Sequence, residues 1–170
     1  PREQPLAASA RARARRHDVS DTVGRTRASA RGPSGRDAGW DALNVSELET
    51  LSMFGVDAPD ALLSRLGAAG KLRVLECKSV SSAGLRALCQ GHALGRLDIG
   101  VARALSEDAG VGLAALATLP ALQRLGLNGL RCGAWPAGFP ALTELTLLGG
   151  ELSAEAAAGL ARLPALGELG

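Results

Sequence analysis

The chain has 170 residues, 46% apolar and 21% charged, with a net charge of +2. That size fits one domain with an appendage, and that apolar share excludes a wholly disordered polymer. Aromatic residues make up only 2%, with no Tyr, which disfavours an aromatic-cored sandwich and a stacking platform for single-stranded nucleic acid.

Charge is unevenly spread. Residues 1–40 carry nine Arg and four acids, a net +5, while residues 41–170 carry ten basic and thirteen acidic groups, a net −3. The larger part therefore offers no general footprint for nucleic acid. The longest uncharged stretch, residues 109–123, has 15 residues and contains Gly112 and Pro120. A membrane span needs about 20 apolar residues, so none is expected.

Residues 1–40 nearly lack large aliphatics and are rich in Arg, Ala and Ser, which leaves little surface to bury against chain entropy. A disordered head is the expectation. Arg11, Arg13, Arg15 and Arg16 form its densest basic cluster and are the candidate phosphate contacts of an RNA-binding arm; an organellar import signal is a competing reading. An inert solvated tail leads both, because Arg outnumbers Lys 17 to 2 as GC-rich coding would yield. The chain opens on Pro1 rather than Met and reads as an excerpt of a longer one.

From residue 48 onward one pattern recurs: Leu, two residues, Leu, one residue, apolar. Its copies are Leu48-Leu51-Met53, Leu72-Leu75-Cys77, Leu94-Leu97-Ile99, Leu122-Leu125-Leu127 and Leu142-Leu145-Leu147, with Leu166-Leu169 cut off by the chain end. First leucines are separated by 24, 22, 28, 20 and 24 residues. Each copy alternates as a short strand with one buried face does. Leu-Pro-Ala-Leu or Phe-Pro-Ala-Leu enters three copies, at 119–122, 139–142 and 163–166; the proline ends a helix and favours extended backbone before it.

Helices are expected between the strands, started by Asp57 and Asp60, by Ser81 and Ser82, by Ser106, Glu107 and Asp108, and by Ser153 and Glu155. The stretch Arg131–Pro140 reads instead as a turn or a single 3₁₀ turn. Trp40 and the residues up to Leu51 read as a cap or first unit.

This pattern resembles the leucine-rich-repeat superfamily over roughly residues 43–170. The helical units are similar to its ribonuclease-inhibitor-like, cysteine-containing or GALA-type branches, and residues 149–169, GGELSAEAAAGLARLPALGEL, carry the closest match. The family pattern continues to Asn or Cys at the ninth position, where this chain has Val56, Val80, Ala102, Leu130 and Gly150. The resemblance implies an α/β horseshoe-shaped solenoid of about six units over residues 41–170, with parallel strands on the concave face and helices on the convex face. An all-helical array is the alternative fold.

Chemistry-bearing constellations are scarce. His17 and His92 have no partners at metal-ligand spacing, and the cysteines form no CxxC. Cys77 and Cys89 read as packing in a reducing, intracellular compartment, cytoplasmic or organellar, and Cys132 as the one exposed thiol. Residues 67–72 lack the first glycine and the Ser or Thr of a phosphate loop, and run from helix into strand rather than the reverse. No cofactor or metal is expected, and no enzyme.

What remains is a surface. Residues interleaved with the core leucines form rows on the concave face, from Thr50, Ser52 and Phe54 on the first strand to Glu144, Thr146 and Leu148 on the fifth. Candidate contacts are Phe54, Glu76, Lys78, Arg96, Asp98, Arg124, Asn128 and Glu144. Mixed charge edged by apolar side chains suits a protein ligand better than phosphate. The expected function is a non-enzymatic protein-binding module, either a monomer or part of a longer chain. The alternatives are the recognition part of an F-box-type ubiquitin ligase or effector, and a structural or organellar protein acting through its basic head.

Overall fold

The computed structural model describes residues 26–29, 40–102, 110–166 and 168–169, with the side chains of 26–29, 42, 54 and 168–169 outside that description. In chain order the strands are β1 (Thr26–Ser29), β2 (Leu48–Asp57), β3 (Val74–Ser79), β4 (Arg96–Ile99), β5 (Arg124–Asn128), β6 (Arg131–Cys132), β7 (Glu144–Leu148), β8 (Glu151–Leu152) and β9 (Glu168–Leu169). The described helices are α1 (Asp60–Ala69), α2 (Ser82–Cys89), α3 (Val111–Ala117) and α4 (Ala154–Leu160), with a 3₁₀ turn at Trp40–Ala42.

The molecule is α/β. Seven strands form one parallel sheet in the order β1-β2-β3-β4-β5-β7-β9, and β6 and β8 form a second, two-stranded parallel sheet. An all-helical array is thereby excluded. The sheet follows chain order, because a parallel neighbour needs a crossover and each unit supplies one. The register stacks Leu51, Leu75, Leu97, Leu125 and Leu145 in one row and Met53, Cys77, Ile99, Leu127 and Leu147 in the next. Those rows join Leu62, Leu63 and Leu66 of α1, Leu85 and Leu88 of α2, and Leu113 and Leu116 of α3 in a single core. Burying each such side chain stabilises the fold by about 1.5–3 kcal/mol.

Local chemistry sets the helix ends. Ser81 Oγ accepts the Gly84 amide at 2.9 Å, and Ser153 Oγ accepts that of Ala156 at 3.1 Å. Helix α1 ends at Gly70, in the left-handed region with φ +65°, where its amide donates to the Leu66 carbonyl. The start signals at Ser106, Glu107 and Asp108 lie outside the described residues; α3 is entered at Gly110, with φ +82°.

Trp40 is half-buried against the core at the start of the first unit. The Arg65 guanidinium reaches back from α1 and donates to the carbonyls of Trp40, at 2.7 Å, and Leu43, at 2.6 Å.

Three expectations need correction. Thr26–Ser29 fall within the head expected to be disordered, yet β1 pairs with β2; the edge of β2 presents backbone groups that a polar segment can pair without burying side chains. The remainder of residues 1–39 lies outside the described residues. Secondly, the stretch at 131–140, free of helix as expected, opens with the two-residue strand β6. Trp135 and Phe139, with ring centroids 5.5 Å apart, are buried there in place of helical leucines. Thirdly, Cys132 is only 7% exposed. Its thiol donates to the Ala134 carbonyl at 3.1 Å.

The thiols give a testable pH dependence. Burial pushes Cys77 up to about 12 and Cys89 up to about 11, and raises Cys132 as well. An unfolded thiol loses its proton near pH 8.5, so above that the unfolded chain binds fewer protons than the folded one. Stability therefore falls as pH rises towards about 12, by about 1.4 kcal/mol per pH unit for each retained thiol. No Tyr titrates in that window. Urea midpoints at about pH 8 and pH 10 should show the decline, and Cys77→Ala should make it shallower, Cys89 and Cys132 remaining.

Candidate functional site

The side of the sheet opposite the helices presents the residues between the leucines. Parallel register sets Val74, Arg96, Arg124 and Glu144 in one row, and Ser52, Glu76, Asp98, Gly126 and Thr146 in the next. Arg96 is therefore beside Arg124, Glu76 beside Asp98, and Glu144 beside Arg124, as the repeat spacing predicts. The side chains of Arg96 and Arg124 are 43% and 57% exposed.

Like charges do not remain unanswered. Arg96 Nε donates to Asp98 Oδ2 at 2.7 Å, and its second nitrogen lies 3.5 Å from Glu76 Oε1. The Asp98 carboxylate, followed by its neighbours Glu76 and Glu144, raises the pKa of Arg96 further. Arg124 turns the other way and meets Glu144 at 3.0 Å. Lys78 leans to Asp57 at 3.4 Å, whose Oδ1 also accepts from Ser79 Oγ at 2.6 Å. That hydroxyl, with Lys78, holds Asp57 below its ordinary carboxylate range. Such exposed pairs contribute about 0–1 kcal/mol each, so they set side-chain position more than stability.

Asn128 is exposed at the end of β5, beside Leu148 in register, and Leu148 is 57% exposed. Phe54 belongs to β2, but its side chain lies outside the described residues, as do Arg11, Arg13, Arg15 and Arg16.

Ser52 departs from the expected exposed row: it is 1% exposed and donates to Glu76 Oε2 at 2.5 Å. Ser52 lies between Ser29 of β1 and Glu76 of β3 in register, inside the sheet rather than at its edge. Asp57, expected to start α1, instead accepts from Ser79, and the helix is entered at Pro59 with no side-chain cap; the separation of 22 residues between Asp57 and Ser79 is one repeat and could have signalled the contact. Gly126 falls in the same row, and the Asp98 carboxylate occupies the space a Cβ there would take.

The ninth positions of the units also differ from the family pattern in a structured way. Val80, Ala102 and Leu130 are buried apolar residues. Backbone bonds to adjacent units hold the turns: Val101 N–H donates to the Lys78 carbonyl at 2.6 Å, Ala102 N–H to Asn128 at 2.7 Å, and Gly129 N–H to Leu148 at 2.7 Å. A side-chain amide is thus not required to meet these groups.

Among the described residues, no group of three or more His, Cys, Asp or Glu could hold a metal ion. None of the described helices is long and apolar enough to cross a membrane. Compared with known proteins, the chain matches no family model, and no curated protein or solved structure matches it significantly.

Proposed function

We propose that this chain is a leucine-rich-repeat solenoid whose sheet lines a concave face, and that it is a non-enzymatic module binding a partner protein through that face. The observation that carries this reading is the register. Equivalent positions of successive units form rows of half-exposed charged side chains already held in defined geometry by their neighbours. Preorganised side chains lose less conformational entropy on association. Both signs share the face, Arg96, Arg124 and Glu144 in one row and Glu76 and Asp98 in the next, which matches the mixed surface of a protein better than a polyanion. A repeat array presents such a surface with little cost to its core, because the leucines on the opposite side do the packing.

The test replaces Glu76→Gln, Arg96→Gln, Asp98→Asn and Arg124→Gln together, which removes charge and keeps shape. Partner proteins retained by the unmodified chain should be lost by roughly ten-fold or more, as for truncated charged hot spots. Circular dichroism and the urea midpoint should move little, because the pairs are exposed. Undiminished retention would overturn the assignment.

A further inference from the structure

Strand β5 ends in a reactive pair. Asn128 is exposed at its last position, and Gly129 follows with φ +74°. The turn calls for glycine there, because the left-handed region strains residues that carry a Cβ. The equivalent turn after β7 has Gly149, with φ +58°, but Leu148 precedes it. With no Cβ on Gly129, nothing crowds an approach of its nitrogen to the Asn128 side-chain amide. Among the described residues no hydrogen bond holds that amide in place. The chain's other asparagine, Asn44, is the contrast. The β-branched Val45 follows it, and its Oδ1 accepts from the Ser46 amide at 3.2 Å and the Ser46 hydroxyl at 2.8 Å.

One hydrogen bond restrains the pair. Gly129 N–H donates to the Leu148 carbonyl at 2.7 Å, which engages the nitrogen and fixes the strand end. Once that bond opens and base takes the amide proton, the Gly129 nitrogen attacks Asn128 Cγ. A bond forms between them, the Cγ–Nδ2 bond breaks, and the side-chain nitrogen leaves as ammonia. Water, the only co-reactant, then opens the five-membered imide. Breaking the new N–Cγ bond gives aspartate. Breaking the original backbone C–N bond instead gives isoaspartate, with one extra methylene in the backbone.

We propose that Asn128 is a deamidation site of the folded chain, gated by the Gly129–Leu148 hydrogen bond at the end of β5. Local opening of a strand end requires less free energy than global unfolding, so the site reacts while the sheet stays intact. Either product places a negative charge beside Leu148, the exposed register partner of Asn128. In the isoaspartate form, the carbonyl that accepts from Ala102 N–H becomes a free carboxylate. The change is one-way and accumulates with the age of the molecule. Its consequence, an altered face for a partner, rests on the function proposed above; the chemistry itself does not.

The test ages the full chain at mildly alkaline pH, where the amide proton is lost more readily, and follows its peptides by mass spectrometry. The Asn128 peptide should gain the mass of an amide-to-acid exchange and separate into aspartate and isoaspartate forms. The Asn44 peptide should stay unchanged over the same time. Conversion in the folded chain should be roughly ten-fold or more slower than in urea, matching the protection of the Gly129 amide from hydrogen exchange, since both need the same bond open. Conversion confined to the unfolded chain overturns the proposal, as does conversion of Asn44 at an equal rate. Equal rates in the folded and unfolded chain overturn the gate. No partner is present, so failure here leaves the protein-binding reading standing, and loss of that reading leaves the deamidation untouched.

Discussion

Leu97→Ala is expected to destabilise the fold by about 2–5 kcal/mol, the range for truncating a fully buried leucine and leaving a cavity. Leu97 is wholly buried at the centre of the sheet, with Leu75 on one side and Leu125 on the other in register. Its cavity would open between two flanking strands that are each held by their own backbone ladders, so collapse around it is limited. Leu147 supplies the comparison. It occupies the equivalent kind of row on β7 but is only partly buried, so Leu147→Ala should cost distinctly less. Urea unfolding followed by circular dichroism would read both as shifts in midpoint at unchanged slope. Equal costs at the two positions would contradict the stacked core.

The second large effect is expected at Gly67, in the interior of α1. On an exposed helix face Gly→Ala is worth up to about 1 kcal/mol in favour of Ala. Here the sign should reverse. A Cβ on Gly67 would overlap the Ala87 carbonyl oxygen of α2, and Leu88 Cα lies 3.1 Å from the same point. The obstacle is backbone within a helix, which cannot rotate away as a side-chain tip can. Helices α1 and α2 would have to separate, loosening Leu63 and Leu66 against Leu85 and Leu88. Overpacking of this kind costs typically 1–3 kcal/mol, so Gly67→Ala should lower the melting temperature by several degrees. Ser64→Ala, on the exposed side of the same helix, should stay within about 0.5 kcal/mol of the unmodified chain. A stabilised Gly67→Ala variant would show that the helices are not in backbone contact.

Much of this architecture was legible because it is local. The strands β2, β3, β4, β5, β7 and β9 fall where the leucines recur, with one residue between the last two apolar positions of each complete copy. The Ser81 and Ser153 caps were readable for a similar reason: a hydroxyl at a helix start meets an amide three residues on, whatever surrounds it. Strand β1 was missed because Thr26–Ser29 have no apolar alternation; only the free edge of β2 makes them a strand. The short unit was legible as helix-free, but no periodicity announces that Trp135 and Phe139 are buried where the other units place a helix. Phe139 does so in a left-handed backbone conformation, φ +56°, that residue type alone does not suggest.

The candidate face divides along the same line. By itself the sequence determined which residues alternate with the leucines, and hence that Glu76, Arg96, Asp98, Arg124 and Glu144 share one side of a sheet. It also determined their row neighbours, since equal register in successive units follows from the repeat. Only the tertiary structure decided that Arg96 binds Asp98 and Glu76 while Arg124 turns to Glu144, that Ser52 is buried and bonded to Glu76, and that Cys132 is enclosed. The reason is physical: a period along the chain specifies which way a side chain leaves the backbone, but hydrogen bonding and burial depend on the shape and charge of neighbours that are 20–28 residues distant in sequence and one strand away in space.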